Sequence, residues 1–196
     1  MRMVMLGVFL CSVFGCSRIP LASMIRLSQL DPMTVEARDI RAAVRMPHAI
    51  RVKPGGARLT WRAKRQEPPG AIQETFVLER DFDVVAQRAL RTHVRPEFHF
   101  EIFRIAEQDL ERLAALRQRL AGWKQPAADE PESSLTIDVT GCRLGSLPNG
   151  PLMISTYLRT ALNGRFLTVT RDADLRQIAP APFEDHHLVQ CPPPKS

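Results

Sequence analysis

The chain is short of the features that announce chemistry. It has no Gly-rich phosphate loop, no His-Glu-x-x-His pair and no cluster of aspartates, so nucleotide and zinc hydrolase signatures are missing. Gly145-Ser146 and Ser155 lack the Gly-x-Ser-x-Gly setting of a nucleophile elbow. Aromatic residues are scarce, with nine Phe, two Trp and one Tyr among 196 residues. That leaves little material for a base-stacking surface. No apolar run reaches the roughly 20 residues that a helix needs to cross a bilayer. Internal repeats and long low-complexity segments are absent as well.

Five histidines are present: His48, His93, His99, His186 and His187. His93 and His99 are six apart, which suits neither a helical pair nor a short ligand loop. Glu184-Asp185-His186-His187 has metal-capable side chains, but neighbours on a strand point to opposite faces. No cofactor or metal is therefore expected. An active site assembled from distant residues stays open.

What is present reads as an ordinary globular protein. Hydrophobic residues make up 44% and charged residues 24%, enough to bury a core without metal support. The length suits one domain, or one domain with a small extension. Sixteen prolines against ten glycines suggest short elements joined by fixed turns.

The N-terminus opens Met-Arg and then runs apolar through the thirteen residues Met3–Gly15. A positive start before a short apolar run is the form of an export signal. The run closes on Val13-Phe14-Gly15-Cys16. This resembles the lipobox of bacterial lipoproteins, with Phe14 standing where a small residue is usual. The resemblance implies cleavage before Cys16 and acylation of its thiol. Ser17 after the cysteine then implies transfer to the outer membrane, facing the periplasm. On this reading residues 1–15 are a signal peptide, 16–37 a lipidated tether and 38–196 one domain. The plain alternative is a secretory signal cut after Ala22 or Ser23. Within the tether, Leu21, Met24, Ile25 and Leu30 suit a short amphipathic turn near the membrane, or an irregular linker.

Export also organises the four cysteines. Cys11 would leave with the signal and Cys16 would be acylated, leaving Cys142 and Cys191 in an oxidising compartment. They are expected to pair; two separate buried thiols are the alternative. Neither has a second Cys or His at zinc spacing.

From Ile40 the pattern turns to period two. Ile40–Met46 alternates and Pro47 stops it; Ile50–Lys53 runs into Pro54-Gly55-Gly56, a turn signal. Ala57–Lys64, Ile72–Glu79 and Glu97–Ile105 read as further strands, with Asp81–His93 as a helix or a long loop. Leu110, Leu113, Leu116 and Leu120 form the stripe of a helix over Ala106–Gly122. After a polar linker, 125–134, strands resume at Leu135. Leu152–Thr160 and Arg165–Thr170 flank the hairpin signal Asn163-Gly164. The expected fold is mainly β, an antiparallel sandwich-like domain with one amphipathic helix; a two-layer α+β fold is the alternative. Three stretches, Thr140–Arg143, Ser155–Thr160 and Thr170–Asp172, resemble a group of uncharacterised lipoproteins of Gram-negative bacteria. That resemblance implies no activity and assigns no residue a role.

The net charge of +6 is unevenly spread. Residues 38–65 hold nine cations and one acid, so this segment is +8 and the remainder is −2. Alternation places Arg41 with Arg45, Arg51 with Lys53, and Arg58 with Arg62 and Lys64 on shared strand faces. If the strands pair with their dry faces together, these cations converge on one outer surface. Such a surface suits anionic lipid or glycolipid, or an acidic envelope partner; nucleic acid is not expected for an exported chain. A solvated face that blocks edge-to-edge aggregation is the alternative. Together these readings give an envelope-anchored lipoprotein with a non-catalytic binding or structural role. A periplasmic enzyme using His and acidic residues in a cleft is the second hypothesis.

Overall fold

The computed structural model describes residues 21–26, 35–66, 69–123, 132–161, 164–178 and 188–193. The lipobox-like segment, Cys16, most of the acidic linker and His186-His187 lie outside these. Eight strands among the described residues form one antiparallel sheet. They are β1 (Leu21–Arg26), β2 (Arg41–Pro47), β3 (Ile50–Arg65), β4 (Gly70–Asp81), β5 (Phe98–Ile105), β6 (Glu132–Arg143), β7 (Met153–Arg159) and β8 (Leu167–Asp174). Their spatial order is β1-β6-β3-β4-β5-β2-β7-β8. The mainly β, antiparallel expectation holds. Leu21–Arg26, expected as a membrane-proximal turn or linker, is instead an edge strand paired with Ser134–Val139.

Strand β4 joins the two halves of the sheet. Its first part pairs with β3 from Gly70 to Val77, and its end pairs with β5 from Leu78 to Asp81. The sheet curls enough to bring β1 and β8 within 8 Å at Cα. The concave side holds the main core, with Val44, Leu59, Phe76, Ile105, Ile137 and Ile154 all buried. Helix α2 (Leu110–Ala121) closes it through Leu113, Leu116 and Leu120. This is the helix its leucine stripe predicts.

Pro54-Gly55-Gly56 does not reverse the chain. β3 continues through it, because these residues form a bulge against β6. Val52 pairs with Gly141 and Ala57 with Val139, so residues 53–56 lie opposite Thr140 alone. Gly55 takes a φ of 66°, in the left-handed region. A Cβ on Gly56 would stand 2.6 Å from the Thr140 carbonyl oxygen. The glycines thus serve close strand approach rather than a hairpin.

The ambiguous stretch Asp81–His93 resolves into the end of β4, a short helix α1 (Val84–Ala89) and a 3-10 turn, Arg91–His93. Asp83 caps α1, its side chain accepting from the Val85 amide at 2.8 Å. Ala86 and Leu90 pack under it onto Ala43, Ile102, Tyr157 and Phe166, a second small core on the convex face. β2 is consequently covered on both sides.

Candidate functional site: an arginine-rich cleft beside helix α1

The pairing of β4 with β5 ends at Asp81 opposite Ile102. Beyond that point β5 faces Arg51 and Val52 of β3 across a gap. Glu101 fills it. Its Oε2 accepts from the Val52 amide at 3.3 Å and from Arg80 Nη2 at 2.7 Å. Its Oε1 lies 3.8 Å from Arg51 Nε and 3.5 Å from His99 Nε2. Arg51 Nη1 donates to His99 Nε2 at 2.8 Å, and the His99 ring stacks on His48 at 5.5 Å.

This cluster floors a cleft of about 560 Å³ roofed by α1 and the turn after it. Arg51, Arg80, Arg88 and Arg91 line the cleft against two carboxylates, Asp81 and Glu101. Asp81 is itself engaged by Arg41. Arg88 and Arg91 are exposed and make no side-chain ion pair among the described residues. At the rim stand Phe82, Val84 and Val94, exposed to 74%, 66% and 61%. Helix α1 is too short to bury more than Ala86 and the Leu90 that follows it, so its outer residues remain in solvent.

Under α1 lies a buried electrostatic layer. Arg159, 0% exposed, donates from Nη2 to Asp83 Oδ2 at 3.1 Å and thereby ties β7 to the helix cap. Burial favours the neutral form of Asp83. The Val85 amide, Arg159 and the charge on Arg41 outweigh it and hold the carboxyl below its ordinary 3.8.

The cations singled out in the sequence do not converge on one surface; cross-strand pairing divides them. Arg41 is half-buried and engaged by Asp81, and Arg45 is buried and engaged by Asp172. Arg51 belongs to the cleft, and Lys53 sits half-buried in the β3 bulge. Arg58, Arg62 and Lys64 do share an outer face, as alternation implies. Register then sets Asp138 opposite Arg58 and Glu132 opposite Lys64, while Arg62 bonds Gln73 at 2.8 Å. That face is of mixed charge. Sequence reasoning missed Arg80, Arg88, Arg91 and Phe82, which gather only where β4 leaves the sheet.

Cys142 and Cys191 are bridged, 49 residues apart in sequence. The bond holds the described tail against the sheet, where Cys191 N donates to Arg143 O at 2.8 Å. Among the described residues no three His, Cys, Asp or Glu side chains are grouped to hold a metal ion. Compared with protein-family models, with curated proteins and with solved structures, the chain matches none.

Proposed function

We propose that this chain is an envelope lipoprotein, anchored through Cys16, whose β domain binds an anionic lipid surface without catalysing a reaction. The anchor reading rests on the apolar run and the Val13–Cys16 pattern. The surface reading rests on one observation: Phe82, Val84 and Val94 stand exposed around a cleft lined by four arginines. Exposed apolar groups flanked by cations suit the boundary between acyl chains and charged headgroups. Burying Phe82 would contribute about 2 kcal/mol, and each arginine near an anionic bilayer about 1 kcal/mol. The contact moves from the strand face expected at first to the corner between β4 and α1.

The test uses the full chain carrying Cys16→Ala, so that acylation does not mask the contact. It should sediment with phosphatidylglycerol vesicles more than with phosphatidylcholine vesicles, and added salt should weaken the preference. Arg88→Gln with Arg91→Gln should reduce that binding roughly thirtyfold, from the loss of two charges. Unchanged binding in this variant would remove the proposal. Separately, labelled palmitate should enter the wild type and not Cys16→Ala; equal labelling would remove the anchor.

A second reading, an enzyme, is favoured by the His99–Glu101 contact inside the cleft. Arg80 holds one Glu101 oxygen and Arg51 holds His99, so both groups already serve the ion-pair network of the cleft. Equal vesicle binding by His99→Gln and wild type fits the surface reading.

A further inference from the structure

A second cavity lies on the other side of the Arg91–Val94 turn. It measures about 210 Å³ and is lined by Arg45, Arg95, Tyr157, Thr168, Arg171 and Asp172, among others. Its one carboxylate is engaged by two arginines and a serine. Asp172 takes Arg95 through both oxygens, Nη1 to Oδ1 at 3.3 Å and Nη2 to Oδ2 at 3.1 Å. Its Oδ1 also accepts from Arg45 Nη2 and from Ser155 Oγ, the latter at 3.2 Å. Ser155 Oγ in turn accepts from the Asp172 amide at 3.0 Å.

The arrangement is held rigidly. Arg45 is 3% exposed, donates to His93 O at 3.0 Å, and has a buried Nε with no hydrogen-bond partner among the described residues. Asp172 sits at a φ of 45°, the one non-glycine residue with positive φ among the described residues. Strained backbone of this kind persists where surrounding contacts over-determine it, and such positions cluster at ligand sites. Bulges in the β7–β8 pairing lie beside it, between Ile154 and Tyr157.

Three guanidinium groups therefore share a cavity with one carboxylate, which two of them, Arg45 and Arg95, already engage. Arg171 is exposed and makes no side-chain ion pair or hydrogen bond among the described residues. The cavity offers donors and surplus positive charge, with threonine and tyrosine hydroxyls beside them. We propose that this cavity binds a tetrahedral oxyanion, the phosphate group of a phosphate monoester, with Arg95 and Arg171 as its principal contacts. Guanidinium forks match such oxygens in geometry as well as charge. The cavity is too small for an acyl chain and shares only Val94 with the apolar rim of the α1 cleft, so a phosphate group can enter it without the contact proposed at Phe82 and Val84.

The test is calorimetric titration of the full chain with inorganic phosphate, using chloride at matched ionic strength as control. Saturable binding is expected, about tenfold weaker in Arg171→Gln, with Arg58→Gln unchanged. Arg171 is exposed, so its removal should leave the melting temperature in place; Arg95→Gln is the second variant. Flotation on phosphatidic acid vesicles distinguishes the source. If Arg171→Gln reduces flotation along with phosphate binding, the monoester is a lipid headgroup. If it reduces phosphate binding alone, the monoester is a soluble compound. No saturable phosphate binding, or equal binding by wild type and Arg171→Gln, would overturn the inference.

Discussion

Asp172 shows how much one side chain can organise. Burial would raise its pKa, but hydrogen bonds from Arg95, the charges of Arg45 and Arg95 and the Ser155 hydroxyl hold it below 3.8. A folded-state pKa depressed in this way stabilises the protein above 3.8 and stops doing so as pH falls through the lower folded value. Asp172→Asn should therefore melt below wild type at neutral pH, with the gap closing as the pH drops beneath 3.8. A gap that stays constant down to acid unfolding would contradict this account. These partners are invisible in the sequence for a plain reason. Arg45 and Asp172 are 127 residues apart, and period-two alternation says which face a residue occupies, not what stands across from it. The same holds for Arg159 and Asp83, 76 apart. Cys142 and Cys191 are legible on the export reading, which takes Cys11 and Cys16 out of the count.

At the level of elements, legibility follows how local the signal is. Apart from β1, read as a turn or linker, and β3, read as two runs, the strands and helix α2 announce themselves by period, and the structure keeps them with ends shifted by a few residues. Pro54-Gly55-Gly56 misleads, since the same glycines serve a turn or a bulge and only the pairing partner decides. That bulge makes its own prediction. Gly56→Ala would press a Cβ against the Thr140 carbonyl, at 2.6 Å before relaxation. Overpacking of this order costs roughly 1–3 kcal/mol. Chemical denaturation should show a lower midpoint with the slope unchanged, and a stability equal to wild type would mean that β3 and β6 separate there more readily than drawn. Helix α1 is ambiguous in sequence because Val84, Val85, Ala86, Ala89 and Leu90 crowd together without a clear period. Only Ala86 and Leu90 are buried, and residues left outside, Val84 among them, form the rim of the cleft.

For the molecule as a whole, the excess positive charge matters less for its amount than for how the sheet distributes it. The +8 segment is partly neutralised by Asp81, Glu101, Asp138, Asp172 and Glu132, brought in from β4, β5, β6 and β8. Arg88, Arg91 and Arg171, which make no side-chain ion pair among the described residues, stand around the Arg91–Val94 turn, with one cavity on each side. The disulfide, worth about 4 kcal/mol for a loop of this length in the chain-entropy model, fastens the tail at Arg143. The central claim is that the corner between β4 and α1 enters an anionic bilayer surface. Phe82→Trp in the Cys16→Ala full chain tests it most directly, because the new indole stands at the exposed apex. Trp61 and Trp123 supply a background that the parent chain measures. On phosphatidylglycerol vesicles the emission of the introduced indole should shift to the blue, saturably and with suppression by salt. Emission unchanged on those vesicles, or shifted equally on phosphatidylcholine, would contradict the account.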